Sequence, residues 1–239
     1  MRWLLALLLL CSCSVLAQEK SETQELIGRV GGRTALLRLY VTTRADGSAR
    51  LTGDYLLLPS MQLHYVEGDR SKQLGVTYLK EGDSPILYGR PPTATLQGRW
   101  ADGVYKGGRF GPSGQPREQF EFRESFPAMD GYSARVNCEP RQGRYESSLA
   151  YDIEAGKLKG LEWRSKLAPG GHTCAVGGLA QQPFEGGLRF AAGKCVVTLR
   201  DLGEFVRVAA EDCSAYCGSD AYLEPVFVDR DGGCELLPR

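Results

Sequence analysis

The sequence predicts an all-β protein: two small antiparallel β-barrel or β-sandwich domains in tandem, the second disulfide-bridged. Three observations lead there. Glycine is abundant, 30 of 239 residues, and it punctuates short runs of β-branched, aromatic and aliphatic side chains. No amphipathic helix of three turns is readable beyond residue 17. Six of the eight cysteines lie beyond residue 137, and the other two sit in an apolar leader.

The leader comes first. Arg2 supplies a positive charge, Trp3 to Leu10 is almost unbroken apolar, and Val15-Leu16-Ala17 offers a small-residue cleavage site. Residues 1–17 therefore read as a secretory signal peptide. The apolar run is shorter than the roughly 20 residues a bilayer span needs. Leu10-Cys11-Ser12-Cys13 loosely resembles a lipobox, so Cys13 is a candidate for lipidation. The expected location is the bacterial periplasm or the medium, with a lipid anchor through Cys13 as the alternative.

Residues 24–125 read as a cysteine-free β-domain. Arg33 to Thr43 places Leu37, Leu39 and Val41 on one face and Leu36, Arg38 and Tyr40 on the other. Asp46-Gly47 is a hairpin signal, and Arg50 to Leu58 returns the chain. Gln73 to Lys80, Ala94 to Trp100, Val104 to Phe110 and Gln119 to Phe122 continue the meander. Glu81-Gly82-Asp83, Ala101-Asp102-Gly103 and Gly111-Pro112-Ser113-Gly114 read as turns between them. A short helical turn is expected near 59–64. Residues 125–133 read as a linker or domain edge.

Residues 131–239 read as a cysteine-containing β-domain. Tyr145 to Asp152 and Lys157 to Ser165 flank a hairpin turn at Ile153-Glu154-Ala155-Gly156, with Trp163 in the core. Cys195 to Arg200 puts Cys195, Val197 and Leu199 on one face. Asp201-Leu202-Gly203 turns the chain, Glu204 to Ala209 returns, and Tyr222 to Val228 forms a further strand with Pro225 marking an edge or bulge. A helical turn is expected near 211–217.

Cys138, Cys174, Cys195, Cys213, Cys217 and Cys234 are even in number, and export favours their pairing into disulfides. Six cysteines allow 15 pairings, and the sequence does not choose among them. Cys213-x3-Cys217 has a zinc-compatible spacing, but no second close pair accompanies it.

Balanced charge, 29 basic against 29 acidic side chains, gives no general field for nucleic acid. The stretch 201–239 departs from that balance, with nine acidic residues against three basic. Glu204, Glu211, Asp212, Asp220 and Glu224 are thus candidates for contact with a cationic partner. Arg outnumbers Lys and Asn137 is the sole asparagine, a usage suited to a GC-rich bacterial genome.

Catalytic motifs are lacking. The two histidines, His64 and His172, have no Gly-x-Ser-x-Gly elbow to serve. Asp229-Arg230-Asp231-Gly232-Gly233 is a fragment of a calcium loop and reads as a hairpin turn. No metal, cofactor or transmembrane helix is expected.

Two resemblances rest on particular residues. Ile27-Gly28-Arg29-Val30-Gly31-Gly32, Leu96-Gln97-Gly98-Arg99-Trp100, Asp102 to Gly107 and Phe120-Glu121-Phe122 make residues 24–124 resemble a recurrent secreted bacterial β-domain. His172-Thr173-Cys174, Gly193 to Leu199 and Cys217-Gly218 make residues 172–228 resemble the Cys-containing β-segment of lysozyme-inhibitor-like envelope proteins. The resemblance implies a non-enzymatic envelope protein that binds a macromolecule, such as an inhibitor or immunity protein for a cell-wall-degrading enzyme. A structural envelope component without a soluble ligand is the alternative, and a hydrolase with dispersed carboxylates is the third.

Overall fold

A computed structural model describes residues 20–239, apart from 73–74, 86–89, 169–170, 172, 219–220 and 238–239. The expected signal peptide and Cys13 therefore lie outside the described residues. No helix among the described residues is long and apolar enough to cross a membrane.

Eight antiparallel strands form the first half: β1 (Lys20–Val30), β2 (Arg33–Thr43), β3 (Ala49–Leu57), β4 (Gln62–Arg70), β5 (Val76–Gly82), β6 (Ala94–Ala101), β7 (Val104–Phe110) and β8 (Pro116–Arg123). They follow one another in space, and β8 pairs back with β1 to close a barrel. Closure removes most of the unpaired strand edge that would otherwise invite association.

The alternation read in β2 is realised in three directions. Leu37, Leu39 and Val41 enter the barrel core, Leu36 faces the second half of the protein, and Tyr40 is exposed to solvent. Aromatic rings fill part of the interior, where Tyr105 packs between Trp100 and Phe120 at centroid distances of 5.6 and 4.7 Å. Gly53 and Gly68 sit at core-facing positions of adjacent strands. A Cβ at either would collide with a carbonyl of the neighbouring strand, that of Arg38 or Tyr78. Glycine lets the wall coil tightly enough to close there.

Three details differ from expectation. Glu81 and Gly82 belong to β5 rather than to a turn, and Glu81 is fully buried. The helical turn expected near 59–64 is a tight turn at 58–61, after which β4 begins at Gln62. Strand β1 starts at Lys20, ahead of the expected boundary at 24.

The second half is a pair of sheets. One contains β9 (Ala134–Cys138), β10 (Arg141–Gln142), β11 (Tyr145–Glu154), β12 (Lys157–Leu167) and β13 (Thr173–Gly177); β9 and β10 both pair with β11. The other runs in order through β14 (Ala180–Gln182), β15 (Leu188–Ala192), β16 (Cys195–Asp201), β17 (Phe205–Glu211), β18 (Val226–Asp229) and β19 (Cys234–Leu236). Both sheets contribute to one apolar core, with Leu149, Trp163 and Val176 from the first and Phe190, Val197 and Val208 from the second.

Trp163 is fully buried, and its Nε1 donates to Ser147 Oγ at 2.9 Å, so its one polar atom is satisfied. The turn between β11 and β12 has Ala155 and Gly156 at φ 46° and 72°, a left-handed pair that matches the twist of a two-residue hairpin. The strand expected from Tyr222 begins only at Val226: Pro225 offers no N–H to a ladder, and the chain before it is irregular. The expected turn at 211–217 is a single 3-10 turn, Ser214–Tyr216.

Residues 125–133 connect the halves but do not hang free. Phe126 is buried in an apolar seam with Leu36, Leu56, Leu58, Phe205 and Phe227, and Met129 is buried in the sandwich core. Arg207, only 7 % exposed, crosses the seam to hold Glu25 of β1 through two contacts of 2.9 and 3.0 Å. Buried guanidinium and carboxylate satisfy each other bidentately there.

Cys138 pairs with Cys234, Cys174 with Cys217, and Cys195 with Cys213. The first ties the two sheets together, and the third joins the start of β16 to the segment just after β17. Because loop-closure entropy grows with loop length, the Cys138–Cys234 bridge, spanning 96 residues, constrains the unfolded chain more than Cys195–Cys213, spanning 18. Replacing Cys138 and Cys234 by serine is expected to cost about 5 kcal/mol, and replacing Cys195 and Cys213 about 3 kcal/mol. Urea unfolding of the two double variants, followed by near-UV circular dichroism, checks that order.

Candidate functional site

The six cysteines predicted to be bridged are all bridged. Cys213-x3-Cys217 is split between two disulfides, which accounts for both thiols without a metal. Among the described residues, no group of three His, Cys, Asp or Glu side chains is placed to hold a metal ion. Asp229 closes a hairpin turn, its Oδ1 accepting from the N–H groups of Asp231 and Gly233 at 2.9 and 2.8 Å.

The acidic stretch divides between the two ends of the six-stranded sheet. Phe205 stands opposite Asp229 in the register of β17 and β18, so Glu204, Asp229 and Asp231 gather at one end. Glu211 and Asp212 lie at the other end of β17, and Glu224 precedes β18 on that side. Asp201 is already held by Arg230 and by the N–H of Gly203. Asp220 and His172 lie outside the described residues.

His64 leads to a site that sequence reading missed. It points into the barrel beside Glu81, and the two are 6 % and 0 % exposed. Glu81 accepts from Tyr55 Oη at 2.6 Å and from Arg109 Nε and Nη2 at 2.8 and 2.7 Å. His64 Nδ1 approaches to 3.2 Å but off the axis of a hydrogen bond, and the ring stacks on Tyr55 with centroids 4.8 Å apart. Arg109 also holds Glu118, which in turn holds Arg33 at the barrel's end.

The electrostatics follow from that geometry. Burial alone would raise the Glu81 pKa, but the hydrogen bonds from Arg109 and Tyr55 and the approach of His64 outweigh it, and the net shift is downward. Burial, then the adjacent Glu81 carboxylate, pushes the Tyr55 phenol upward. Glu81 is thus a fixed, compensated anion rather than a poised proton donor. Glu81, His64 and Tyr55 all lie buried on the inside of the barrel wall.

An open surface lies instead on the outer face of the five-stranded sheet. Two depressions of about 820 and 540 Å³ share Arg164 and Ala175 and so form one trough. Register explains its shape. Ala150 stands opposite Glu162, Glu162 opposite Gly177, Asp152 opposite Gly160, and Arg164 opposite Ala175. Small residues of β11 and β13 therefore flank the charged row of Glu162 and Arg164 on the strand between them. Charges of the lining are internally paired, Arg135 with Asp152 at 2.7 Å and Lys166 with Glu146 at 2.8 Å. The other side of the same sheet carries Leu149, Tyr151 and Trp163 into the core.

The Cys174–Cys217 bridge ties the edge strand β13 to the segment that follows β17. Glu211 and Asp212 lie within six residues of Cys217, which is bonded to Cys174 on β13. Comparison with protein-family models, with curated proteins and with solved structures found no match.

One outcome follows from the barrel cluster. The folded-state pKa of Glu81 lies below its unfolded value of about 4.3, so its stabilisation is complete above that pH and drains as pH falls through the folded value. Wild type should lose stability steadily below about pH 4.3, whereas Glu81→Gln should be less stable at neutral pH with a shallower acid limb. Arg109→Leu, which strands the buried carboxylate, should cost roughly 3–5 kcal/mol. Urea midpoints measured between neutral and acid pH give both results.

Proposed function

We propose that this is an exported binding protein of the bacterial envelope that recognises a macromolecule and performs no chemistry on it. An inhibitor or immunity protein directed at a cell-wall-degrading enzyme is its specific form. The observation that carries the reading is the trough: a broad, open, preformed surface on a sheet whose opposite side is fully packed. Its lining follows strand β12 from Leu158 to Lys166, roughly 26 Å of extended chain, longer than a metabolite needs.

Three further features support it. Three disulfides are compatible with an extracytoplasmic protein. Exposed acidic side chains at one end of the six-stranded sheet, Glu211 and Asp212, would draw in a cationic enzyme at long range. Among the described carboxylates with a resolved shift, Asp46, Glu81 and Glu146 all move downward, held by hydrogen bonds from Ser48, Arg109 and Lys166 respectively.

The test is a titration of the exported protein against a panel of lysozymes and amidases at low and high salt. At least one member should bind, lose activity on binding, and bind more weakly as salt rises. Gly160→Trp should weaken that binding by at least tenfold, because the new ring fills the trough. Its Cβ meets nothing within 4 Å, so the fold should survive. A silent Gly160→Trp together with a disruptive Glu211→Lys would move the contact away from the trough. Failure of every panel member to bind would overturn the reading.

A further inference from the structure

The seam between barrel and sandwich leaves a second depression, independent of the trough. It is a cleft of about 650 Å³ between the β1–β8 wall of the barrel and the turn joining β16 to β17. Its volume lies in the range of small-molecule sites, which favour junctions between folded units. The walls are held from both sides by the apolar seam and by the Glu25–Arg207 pair, so the cleft is preformed.

Its chemistry is lopsided. Ile27, Phe126 and Leu202 supply an apolar floor. Around the rim stand Arg29, Glu121, Arg123 and Asp201. Glu121 is taken by Arg123, its neighbour two residues along β8. Asp201 is taken by Arg230. Arg29 stands directly opposite Glu121 in the β1–β8 register, yet it makes no ion pair among the described residues. Thr34, the cross-strand partner of Arg29 on β2, also lines the cleft. After internal pairing, one guanidinium is left over beside an apolar floor.

We propose that this cleft binds a small amphiphilic carboxylate, with the acid group on Arg29 and the apolar body over Ile27, Phe126 and Leu202. A guanidinium offers a planar pair of donors that matches a carboxylate bidentately. The floor discriminates against small polar acids, which would leave it uncovered, and Arg29 discriminates against uncharged apolar molecules. The site is separate from the trough, so the two stand or fall independently.

The test uses octanoate and 3-phenylpropionate as probes, with octanamide and acetate as controls, on the exported protein. Calorimetric titration should show saturable binding of both probes, with acetate and the amide each at least tenfold weaker. Arg29→Gln should weaken octanoate by roughly tenfold or more while leaving the melting temperature of the free protein unchanged. Ser125→Trp, placed at the cleft's exposed edge, should block the probes without touching Arg29. In methyl-labelled protein, octanoate should shift the Ile27 and Leu202 signals. Equal affinity for octanoate and octanamide, or binding that leaves those methyl signals unmoved, would overturn the proposal; so would the absence of saturable binding.

Discussion

The seam between the barrel and the sandwich is the constraint on which the rest of the molecule depends. Leu36, Leu56 and Leu58 from the barrel wall close against Phe205 and Phe227, with Phe126 of the connector wedged among them. An apolar seam alone is non-directional and would tolerate sliding. Arg207 and Glu25 supply the direction, because a buried guanidinium pulled off its carboxylate would be left unpaired at a cost of several kcal/mol. Arg200 reinforces the same corner, its guanidinium 4.1 Å from the centre of the Phe126 ring. One registered contact thus fixes where the connector runs, which part of the barrel wall is covered, and what shape of cleft is left beside it.

The two halves solve the problem of holding a β-fold in different ways. The barrel closes its own edges and has no cysteine. An eight-stranded barrel has an interior just wide enough for side chains, and here it is filled by Leu37, Leu39, Tyr105, Phe122 and the Glu81 cluster. That cluster is weak evidence for added stability, since an apolar replacement of equal shape often does as well. Its effect is specificity: Tyr55, Glu81 and Arg109 come from three different strands, and only one register lets them meet. The sandwich has open edges at β13 and β14 and is cross-linked instead. Cys174–Cys217 lies at the β13 edge, where the ladder has a single bridge to hold it.

Much of this was legible in the chain before the structure was known. The all-β class, the hairpins at Asp46-Gly47 and Ala155-Gly156, the burial of Trp163 and the common face of Cys195, Val197 and Leu199 all follow from local chemistry. What escaped has a physical reason in each case. Strand β4 turns His64, Val66, Gly68 and Arg70 toward the interior, so its period of two is not a period of hydrophobicity. Glu81 sits beside Gly82-Asp83, which looks like a turn, although its parity with Leu79 places it inward. Disulfide partners 96 residues apart meet only because two sheets stack, a fact of tertiary structure. The trough was invisible because its lining is made of ordinary exposed charges and ordinary small residues.

Those small residues are what separate the trough from a plain solvated sheet. Glycine in a strand weakens it and is usually kept where another backbone crowds in. Gly53 and Gly68 meet that condition; the chain cannot close the barrel without them. Gly160 does not, for a Cβ there would meet nothing within 4 Å and its φ lies outside the left-handed region. Gly177 would meet only a carbonyl at an ordinary 3.5 Å. Gly160 borders the bulge at which the β11–β12 register shifts, but side-chain clash requires glycine at neither of these two outward positions. On the same sheet the inward positions carry Trp163 and Tyr151, the bulkiest side chains available to fill a core. A sheet packed to the limit on one side and hollowed on the other is the feature on which the proposed contact role rests.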